Sequence, residues 1–517
     1  MSEQELKLNV PRQSQQAVEK ALRTGTVQQT RLRARYFDTE QRDLVKAGVA
    51  LRIRLEGNQW VQTIKMPGEH ALERIELNHP RPEPTLDFAV YENVPIYKKL
   101  LKLQSKLDIR YETDIQRLYR KVRTTHGVVE IAYDRGEIIA GGLTLPVSEV
   151  EFELLSGQPQ AIFEIGMKWQ RRFGLILDLR SKAERGDLLA ATANKLKQLD
   201  KDKSQDSTSK CSRVIANFWK PRTALQTAIT PDMTSAKALS TVMQECLEQI
   251  IRNSAVLAEV DTAGICQMSN AEHTHQLRIG MRRLRSAWSL FSPLTPLPPK
   301  VWRDELKQYF SQLGSNRDSD VIRNTIIPAL EAAGQPTVEI PESKIDDNAS
   351  EIACSKPFQS LQLQLLAWSV NGHPLQALAS SSESPATDNK PDLKPRLRKR
   401  LRKWTSQILK DGLKFQTLPV ESRHELRKQV KRLRYCLQFA SSVFDGKKYD
   451  KFNRQLAKVQ ETLGEMNDLY LALDKFEAIK STQPGAWFAV GWIASRLETL
   501  APQVELEFQE LQRLNPL

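Results

Sequence analysis

The sequence is poor in cysteine and has no long apolar run. Its five cysteines form no C-x-x-C pair, which fits reduced thiols and argues against a disulfide framework or a metal site built from cysteine. The longest apolar stretch, AWFAVGWIA from Ala486, is about half of the ~18 residues that a membrane span needs. Glu3 and Glu5 stand where a signal peptide would be basic. We therefore expect a buried helix near Ala486, no membrane partner, and a cytoplasmic protein.

What the chain has in excess is length and positive charge. With 517 residues it is too long for one ordinary core, so two or three domains are expected. The 76 Lys and Arg residues outnumber the 62 Asp and Glu residues, for a net charge of +14. This balance favours an anionic partner but leaves nucleic acid, polyphosphate and membrane surfaces open.

The hydropathy pattern changes along the chain. Up to about residue 190, short runs of period two separated by turn residues predict a meandering antiparallel sheet, with helices at residues 14–23 and 159–173. A polar stretch without periodicity follows, and from about Ser235 the period is 3.6. We predict an α+β domain over residues 1–198, a linker over 199–230 and an all-α domain over 231–517.

The helical half contains an internal repeat. HQLRIGMRRLR at residues 275–285 matches HELRKQVKRLR at residues 424–434, and LGSNRD or LGEMND follows each at nearly equal spacing. This duplication predicts two pseudo-symmetric helical bundles.

Each copy places a purely basic stripe beside an apolar stripe of a helix. The basic residues are His275, Arg278, Arg282 and Arg285 in the first copy, and His424, Arg427, Lys431 and Arg434 in the second. Because like charges at this spacing repel, the stripes favour anion binding over the alternative of a solvated basic face. The basic run at residues 394–404 is either a flexible tail or part of the same surface. Stacking aromatics are missing from the stripes, so no specific nucleic acid is expected.

The sheet half alternates charged and apolar residues. Glu3, Glu5 and Lys7 share one strand face, and Glu149, Glu151 and Glu153 share another. For a single strand a solvated face is the simpler interpretation. The apolar residues of the opposite faces must be buried under helices, however, and they are Val61, Ile64, Ile75, Leu77, Val150 and Phe152. The charged faces would then line a barrel that holds a polyanion together with Mg²⁺ or Mn²⁺.

An ordered set of motifs covers residues 1–190. It consists of E-x-E-x-K at Glu3, YFDT at Tyr36, LRIR at Leu51, TIK at Thr63, R-x-E at Arg74, YDRGEI at Tyr133, EVEFE at Glu149 and SKAERG at Ser181. This set resembles the CYTH superfamily, the triphosphate tunnel metalloenzymes. The helical half is similar to the CHAD domain, a helical module associated with polyphosphate. CYTH followed by CHAD is the architecture of bacterial inorganic triphosphatases.

The CYTH resemblance implies a tunnel of eight antiparallel strands with flanking helices and assigns roles to its charged residues. Glu3 and Glu5 would hold one metal, Glu149 and Glu151 a second, with Glu153 and Asp134 as weaker candidates. Residues implied to bind the phosphate chain are Lys7, Arg52, Arg54, Lys65, Arg117, Lys182 and Arg185. The implied catalytic residues are Glu149, Glu151 and Lys182.

The implied activity is metal-dependent hydrolysis of inorganic triphosphate to pyrophosphate and phosphate, with inorganic polyphosphate bound by the helical half. A class IV adenylate cyclase-like activity, a thiamine triphosphatase activity and a noncatalytic polyphosphate-binding module are the alternatives. Association with polyphosphate granules is a further expectation of the resemblance.

Overall fold

A computed structural model of the chain describes residues 2–68, 70, 72–201, 207–262, 271–314, 322–338, 348–371, 393–444 and 446–516. The chain divides into two compact units. The first comprises Met1–Thr223, Glu248–Leu277 and Ala349–Asn371, and the second comprises Ala224–Leu247, Arg278–Asn348 and Gly372–Leu517. Parts of the helical half of the sequence therefore belong to the first unit. Four residues of the LGSNRD motif, 315–318, lie outside the described residues.

Nine strands of the first unit form one sheet. They are β1 (Ser2–Asn9), β2 (Gln28–Asp38), β3 (Ala50–Glu56), β4 (Gln59–Pro67), β5 (Glu73–Arg81), β6 (Asp108–Arg123), β7 (Gly127–Ala140), β8 (Leu143–Gly157) and β9 (Ile176–Leu177). Their order is β5-β4-β3-β2-β6-β7-β8-β1-β9, and every pairing is antiparallel. The first residues of β1 also pair with β5, where Glu3 faces Arg74. This last pairing closes strands β1–β8 into the predicted eight-stranded barrel.

Helices accompany the barrel. They are α1 (Gln15–Leu22), α2 (Tyr97–Leu103), α3 (Gln160–Phe173), α4 (Lys182–Lys201) and α5 (Ser207–Ala216). The helices predicted at residues 14–23 and 159–173 are confirmed as α1 and α3. Helix α5 lies within the stretch predicted as a linker.

The alternation along the strands separates an apolar outer face from a charged inner face. On β8, Val150 and Phe152 are fully buried, and Phe152 meets the Trp169 ring of α3 edge-on with centroids 6.0 Å apart. Ile64 is also fully buried, as predicted, in a cluster beside α2. The prediction for Ile75 is wrong, because this residue is 40% exposed and lies outside the cluster that Leu77 joins on the same strand.

Helix α4 packs against residues that line the barrel interior. Its Leu189 and Ala190 belong to the same apolar cluster as Tyr36 and Tyr111, whose rings stack 4.6 Å apart. A Cβ atom at Gly186 would come within 2.2 Å of the Tyr111 ring. The missing side chain at Gly186 is what allows α4 to approach so closely.

The remaining secondary structure of the described residues is helical. Its α-helices are α6 (Ser235–Leu257), α7 (Ala271–Phe291), α8 (Lys300–Gln312), α9 (Ile327–Ala332), α10 (Ala349–Cys354), α11 (Lys356–Asn371), α12 (Leu393–Gly412), α13 (Val420–Phe439), α14 (Lys447–Ile479) and α15 (Ala486–Arg513). A π-helical turn, Ile322–Ile326, precedes α9. The predicted helical half is confirmed. Both repeat helices form, α7 and α13, and their apolar stripes are buried, from Leu277 to Trp288 and from Leu426 to Leu437.

The apolar stretch from Ala486 forms the start of α15. Ala486, Ala489 and Ile493 are buried, but Trp487 is 57% exposed. The helix is therefore buried along one face only, because its apolar residues surround more of the helix than the neighbouring helices cover. Within the described residues, no helix combines the length and apolarity that a membrane crossing requires.

Candidate active site in the barrel

The barrel encloses a cavity of about 1770 Å³ lined by charged residues of both signs. The lining cations include Lys7, Arg52, Arg54, Lys65, Arg117 and Lys182. The lining carboxylates include Glu3, Glu5, Glu76, Glu130, Asp134, Glu151 and Glu153. Most of these side chains come from alternate positions of the strands, so the period of two places them on one face.

Three carboxylates converge at one end of this charged face. Oxygen atoms of Asp134, Glu149 and Glu151 lie within 4.8 Å of one another. The strand register explains the cluster, since Asp134 of β7 stands opposite Glu149 of β8 and Glu151 is two residues further along. We call these three residues the carboxylate triad.

The Lys182 ammonium lies among the carboxylate triad. Its Nζ is 2.7 Å from Asp134 Oδ2, 2.5 Å from Glu149 Oε1 and 2.6 Å from Glu151 Oε1. The residue belongs to the first turn of α4, which projects it toward the strands. The three carboxylates of the triad offer the hard oxygen ligands that Mg²⁺ and Mn²⁺ favour. The triad therefore fits a divalent cation.

The charges of this cluster shift one another's pKa values. Burial alone would lower the pKa of Lys182, but Asp134, Glu149 and Glu151 outweigh it and raise that pKa. Burial would raise the pKa of Glu151, yet Lys182 and Arg117 hold it well below its usual range. Both residues are therefore charged at neutral pH.

Arg117 and Lys7 approach the carboxylate triad from two sides. Arg117 is bidentate on Asp134, with both N···O distances 2.7 Å, and it also donates to Glu151. Lys7 Nζ is 4.0 Å from Glu149 Oε2 and donates to the main-chain carbonyl of Arg180. Burial lowers the pKa of Lys7. Each of these predicted phosphate contacts thus has a protein partner in this structure.

Arg185 is placed differently from the other predicted phosphate contacts. It is fully buried and is not among the residues that line the cavity. Its guanidinium pairs with Glu149 and, through Nη1, with Asp261 Oδ2 at 2.7 Å. Arg185 therefore stands behind the carboxylate triad and balances Glu149 there.

The cavity contains a second set of paired charges, centred on Lys65. Lys65 Nζ lies 3.1 Å from Glu3 Oε2 and also pairs with Glu76, and Arg52 Nη2 is 3.4 Å from Glu76 Oε1. Burial and a hydrogen bond with Glu76 raise the pKa of Glu3 to about 8. For Glu76 the burial effect is outweighed by Glu3, Lys65 and Arg52, which lower its pKa. Glu3 is thus a neutral acid at pH 7 that donates to the Glu76 carboxylate. Arg54 pairs instead with Glu56, 2.6 Å from its Nε.

Glu5, Glu153 and Glu130 form a row across three adjacent strands. The register places Glu5 of β1 opposite Glu153 of β8, and Glu153 opposite Glu130 of β7. Burial and the neighbouring carboxylates Glu130 and Glu5 raise the pKa of Glu153 to about 7. The carboxylate triad is the one close group of three potential metal ligands among the residues described. The row adjoins it, since burial and then Glu151 of the triad raise the pKa of Glu5.

Several residues of the site were not in the predicted set. Glu76 and Glu130 line the cavity. The sequence could have indicated both, because Glu76 is two residues from Arg74 and Glu130 is four residues from Asp134, which places each pair on one strand face. Arg252 also lines the cavity, and Asp261 pairs with Arg185. These last two had no local signal, because they follow the barrel strands by many residues in the chain.

The first basic stripe of the helical half gathers around one aromatic ring. The guanidinium carbons of Arg278, Arg282 and Arg285 lie 5.2, 5.3 and 5.3 Å from the centroid of Phe310. All three arginines are half-buried, as is His275. The ring holds the three cations in one compact group.

The second stripe lies on α13. His424 is exposed and its Nδ1 is 3.1 Å from Asn467 Oδ1, while Arg427, Lys431 and Arg434 are half-buried. The basic run at residues 394–404 belongs to helix α12, so the flexible-tail interpretation is wrong. Its exposed residues include Lys394, Arg398, Lys399, Arg402 and Lys403.

Two family models match the chain. Residues 1–186 match the CYTH domain, and residues 241–477 match the CHAD domain. The chain contains a CYTH domain followed by a CHAD domain. The CYTH match covers all the barrel strands and ends in the first turns of α4. The CHAD match includes both basic stripes.

A relative named inorganic triphosphatase from Haemophilus influenzae is 32% identical over 163 residues, which are 30% of this chain and 45% of that relative. The alignment therefore spans less than half of the relative's length. A crystal structure of the CHAD domain from Ricinus communis is 25% identical, covers 57% of this chain and 97% of that chain, and has a TM-score of 0.42. A Pyrococcus horikoshii structure is 24% identical over 35% of this chain and 96% of that chain, with a TM-score of 0.26.

Proposed function

We propose that the CYTH domain hydrolyses inorganic triphosphate to pyrophosphate and phosphate with Mg²⁺ or Mn²⁺, and that the CHAD domain binds inorganic polyphosphate. The observation that carries the first part is the cavity lined by cations and by Asp134 and Glu151, which form the carboxylate triad with the adjoining Glu149. Such a pairing suits a polyanion that arrives with a divalent cation. The named relative from Haemophilus influenzae adds support for the N-terminal part.

In this proposal Arg52, Arg54 and Lys65 hold one end of the phosphate chain, and Lys7 and Arg117 hold the other. Arg52, Lys65 and Arg117 already have carboxylate partners. These carboxylates orient the cations before the substrate binds. Phosphate oxygens would then replace the carboxylates as partners of the cations. Arg guanidinium groups suit this role because each can grip two phosphate oxygens.

Asp134, Glu149 and Glu151 would hold a divalent cation, and Glu3 and Glu5, with Glu153, are the proposed ligands of another. When bound, such cations supply charge stabilisation and a water of lowered pKa. In the reaction the water oxygen forms a bond to the terminal phosphorus and the bridging P–O bond breaks. Pyrophosphate leaves with the bonding electron pair, and the water's proton passes to solvent. Lys182 and Arg117 stabilise the charge that develops on the phosphate oxygens.

The decisive experiment measures phosphate release by the full chain from tripolyphosphate, ATP and thiamine triphosphate, with Mg²⁺, Mn²⁺ or a chelator. We expect tripolyphosphate to be the preferred substrate and the chelator to stop the reaction. Glu151→Gln should lower the rate about a hundredfold, because the triad loses a charge where the substrate's charge changes. Glu498→Gln, at an exposed position on α15, is the matched control. Formation of cyclic AMP from ATP as the main activity would contradict the proposal.

Inactivity of the wild-type chain on every substrate, with polyphosphate binding retained, would instead favour the noncatalytic module. Preference for thiamine triphosphate would preserve the hydrolysis but change its substrate. These outcomes separate the proposal from each of its alternatives.

Polyphosphate binding by the CHAD domain is supported by the two basic stripes and by the exposed basic face of α12. Many cationic contacts along an extended phosphate chain add together, so affinity should rise with chain length. Such binding would place the protein at cytoplasmic polyphosphate, including polyphosphate granules.

A further inference from the structure

The end of α6 and the turn after it, residues 252–262, belong to one domain by sequence match and to the other compact unit by structure. In sequence they fall inside the match to the CHAD domain, residues 241–477. In the structure they belong to the first compact unit, together with the barrel. Among its contacts in that unit is the chain around α4, the helix that carries Lys182.

Asp261 leads to the carboxylate triad through one buried arginine. Its Oδ2 is 2.7 Å from Arg185 Nη1, and the other terminal nitrogen of Arg185 pairs with Glu149. Asp261 is also fixed by its own main chain, whose carbonyl accepts a hydrogen bond of 2.8 Å from Trp219 Nε1. Arg185 is fully buried, so its charge is balanced only by partners that are held in place.

A parallel connection runs through Arg180, just before α4. Its Nη2 is 3.3 Å from the carbonyl of Val260, and its guanidinium carbon lies 4.0 Å from the centroid of a Trp219 ring. The Arg180 carbonyl in turn accepts the hydrogen bond from Lys7. The same turn therefore holds the chain that anchors a predicted phosphate contact.

Arg252 forms an ion pair with Glu184 in the first turn of α4. Its Nη2 is 3.0 Å from Glu184 Oε2, and its Nε is 2.9 Å from Glu248 on its own helix. Glu184 is two residues from Lys182. The pair is partly exposed, with 19% of the Arg252 side chain and 43% of the Glu184 side chain accessible. It should therefore contribute less than the buried Asp261 pair.

We propose that Asp261 and Arg252 are positioning residues of the barrel site, supplied by the part of the chain that matches the CHAD domain. Asp261 fixes Arg185, which orients Glu149 in the carboxylate triad. Arg252 fixes the first turn of α4, from which Lys182 reaches the same triad. Partners one step removed from metal ligands typically change metal affinity or activity ten- to a hundredfold when replaced. This inference rests on the proposed function of the barrel as a metal-dependent site.

Asp261→Asn is the cleanest test. Asp261 has a left-handed backbone with φ of 57°, a conformation that Asn adopts readily, so the variant removes the charge while the turn is kept. Calorimetric titration of the full chain with Mn²⁺ should give a dissociation constant about tenfold higher than that of wild type. Asp200→Asn, at an exposed position on α4, is the matched control and should bind Mn²⁺ as wild type does.

Arg252→Gln is the second variant, and it tests the inference even if Asp261→Asn fails to fold. We expect Mn²⁺ binding about threefold tighter, because Lys182, which occupies the same carboxylate oxygens, is held less firmly once this partly exposed ion pair is lost. Arg252→Lys keeps the charge and should restore most of the wild-type affinity for Mn²⁺. Hydrogen exchange of residues 182–190 should be faster in both charge-removing variants.

The results separate this inference from the proposed function. If wild type hydrolyses tripolyphosphate and both variants bind Mn²⁺ as tightly as wild type, the positioning role is overturned and the function stands. If wild type binds Mn²⁺ without hydrolysing any triphosphate, the function fails, while weaker Mn²⁺ binding by Asp261→Asn and tighter binding by Arg252→Gln still support the positioning role. If Asp261→Asn does not fold, unchanged Mn²⁺ binding by Arg252→Gln overturns the inference.

Discussion

Lys182 Nζ lies 2.7 Å from Asp134 Oδ2, inside the group of carboxylates that is suited to a divalent cation. The ammonium and the metal would therefore compete for the same oxygens. The Lys182 ammonium of α4 balances the triad in the protein itself and would have to move away if a metal bound there. The Lys182 ammonium and a metal ion would thus occupy the triad in turn. Replacing Lys182 should reveal this competition.

Lys182→Met should make the protein more dependent on metal. Without the ammonium the three carboxylates repel one another, so the thermal midpoint in chelator should fall. Saturating Mn²⁺ should then raise the midpoint more in the variant than in wild type, because the ion no longer displaces a lysine. Phosphate release should fall about a hundredfold. Lys195→Met, at an exposed site on α4, is the control. Equal Mn²⁺-induced shifts in variant and wild type would argue against competition.

Glu3 should make the metal-free protein less stable as the pH rises. Its pKa in the folded protein is about 8 and its ordinary value is 4.5, so between these values the folded chain binds a proton that the unfolded chain has lost. The contribution of this proton to the free energy of unfolding is fully present below pH 4.5 and is lost as the pH rises through about 8. Over this range the free energy of unfolding falls by at most about 1.4 kcal/mol per pH unit.

Glu3→Gln removes the titrating proton, so the wild-type advantage over this variant in the free energy of unfolding should shrink from pH 5 to pH 9. Denaturant unfolding in chelator measures it. Glu498→Gln, which is exposed on α15, should show no such trend. A constant difference between wild type and Glu3→Gln across the range would show that Glu3 is ionised throughout.

Two glycine substitutions should have opposite effects on stability. At Gly186 an added Cβ would meet the Tyr111 ring at 2.2 Å, so Gly186→Ala should lower the free energy of unfolding by about 1–3 kcal/mol. At Gly464 on α14 a Cβ would meet nothing within 4 Å. Gly464→Ala should stabilise by about 0.5–1 kcal/mol, because alanine favours the helix. Urea unfolding of both variants measures the contrast, and a neutral Gly186→Ala would disprove the close packing of α4.

Replacing Arg282, Arg285, Lys431 and Arg434 one after another by Ala should weaken polyphosphate binding in steps. Each lost charge-assisted contact should cost roughly 1.5 kcal/mol, or about tenfold in affinity. A quadruple variant at exposed lysines outside the stripes has the same change in net charge, and its sites are Lys195, Lys197, Lys307 and Lys458. This control should bind nearly as wild type. Equal weakening of both quadruple variants would mean that only net charge matters.

The sequence by itself determined the barrel and the charged character of its interior. Alternation of Glu149, Val150, Glu151 and Phe152 is enough to separate a charged face from an apolar one, because successive strand residues point to opposite sides. The helical period likewise predicted which faces of α7 and α13 are buried. These are local properties, so a single segment of sequence carries them.

Only the tertiary structure decided which charges are partners. The sequence treats Lys182 and Arg185 alike, yet one reaches the carboxylate triad from the cavity and the other supports it from the buried side. Asp261 meets Arg185 across 76 residues of chain. Such pairings depend on how the barrel closes and where α4 and the end of α6 pack, and no local period records them. The strand sequences determine that the barrel interior is charged, whereas the division of these residues into proposed metal ligands, proposed substrate contacts and proposed positioning residues depends on long-range packing.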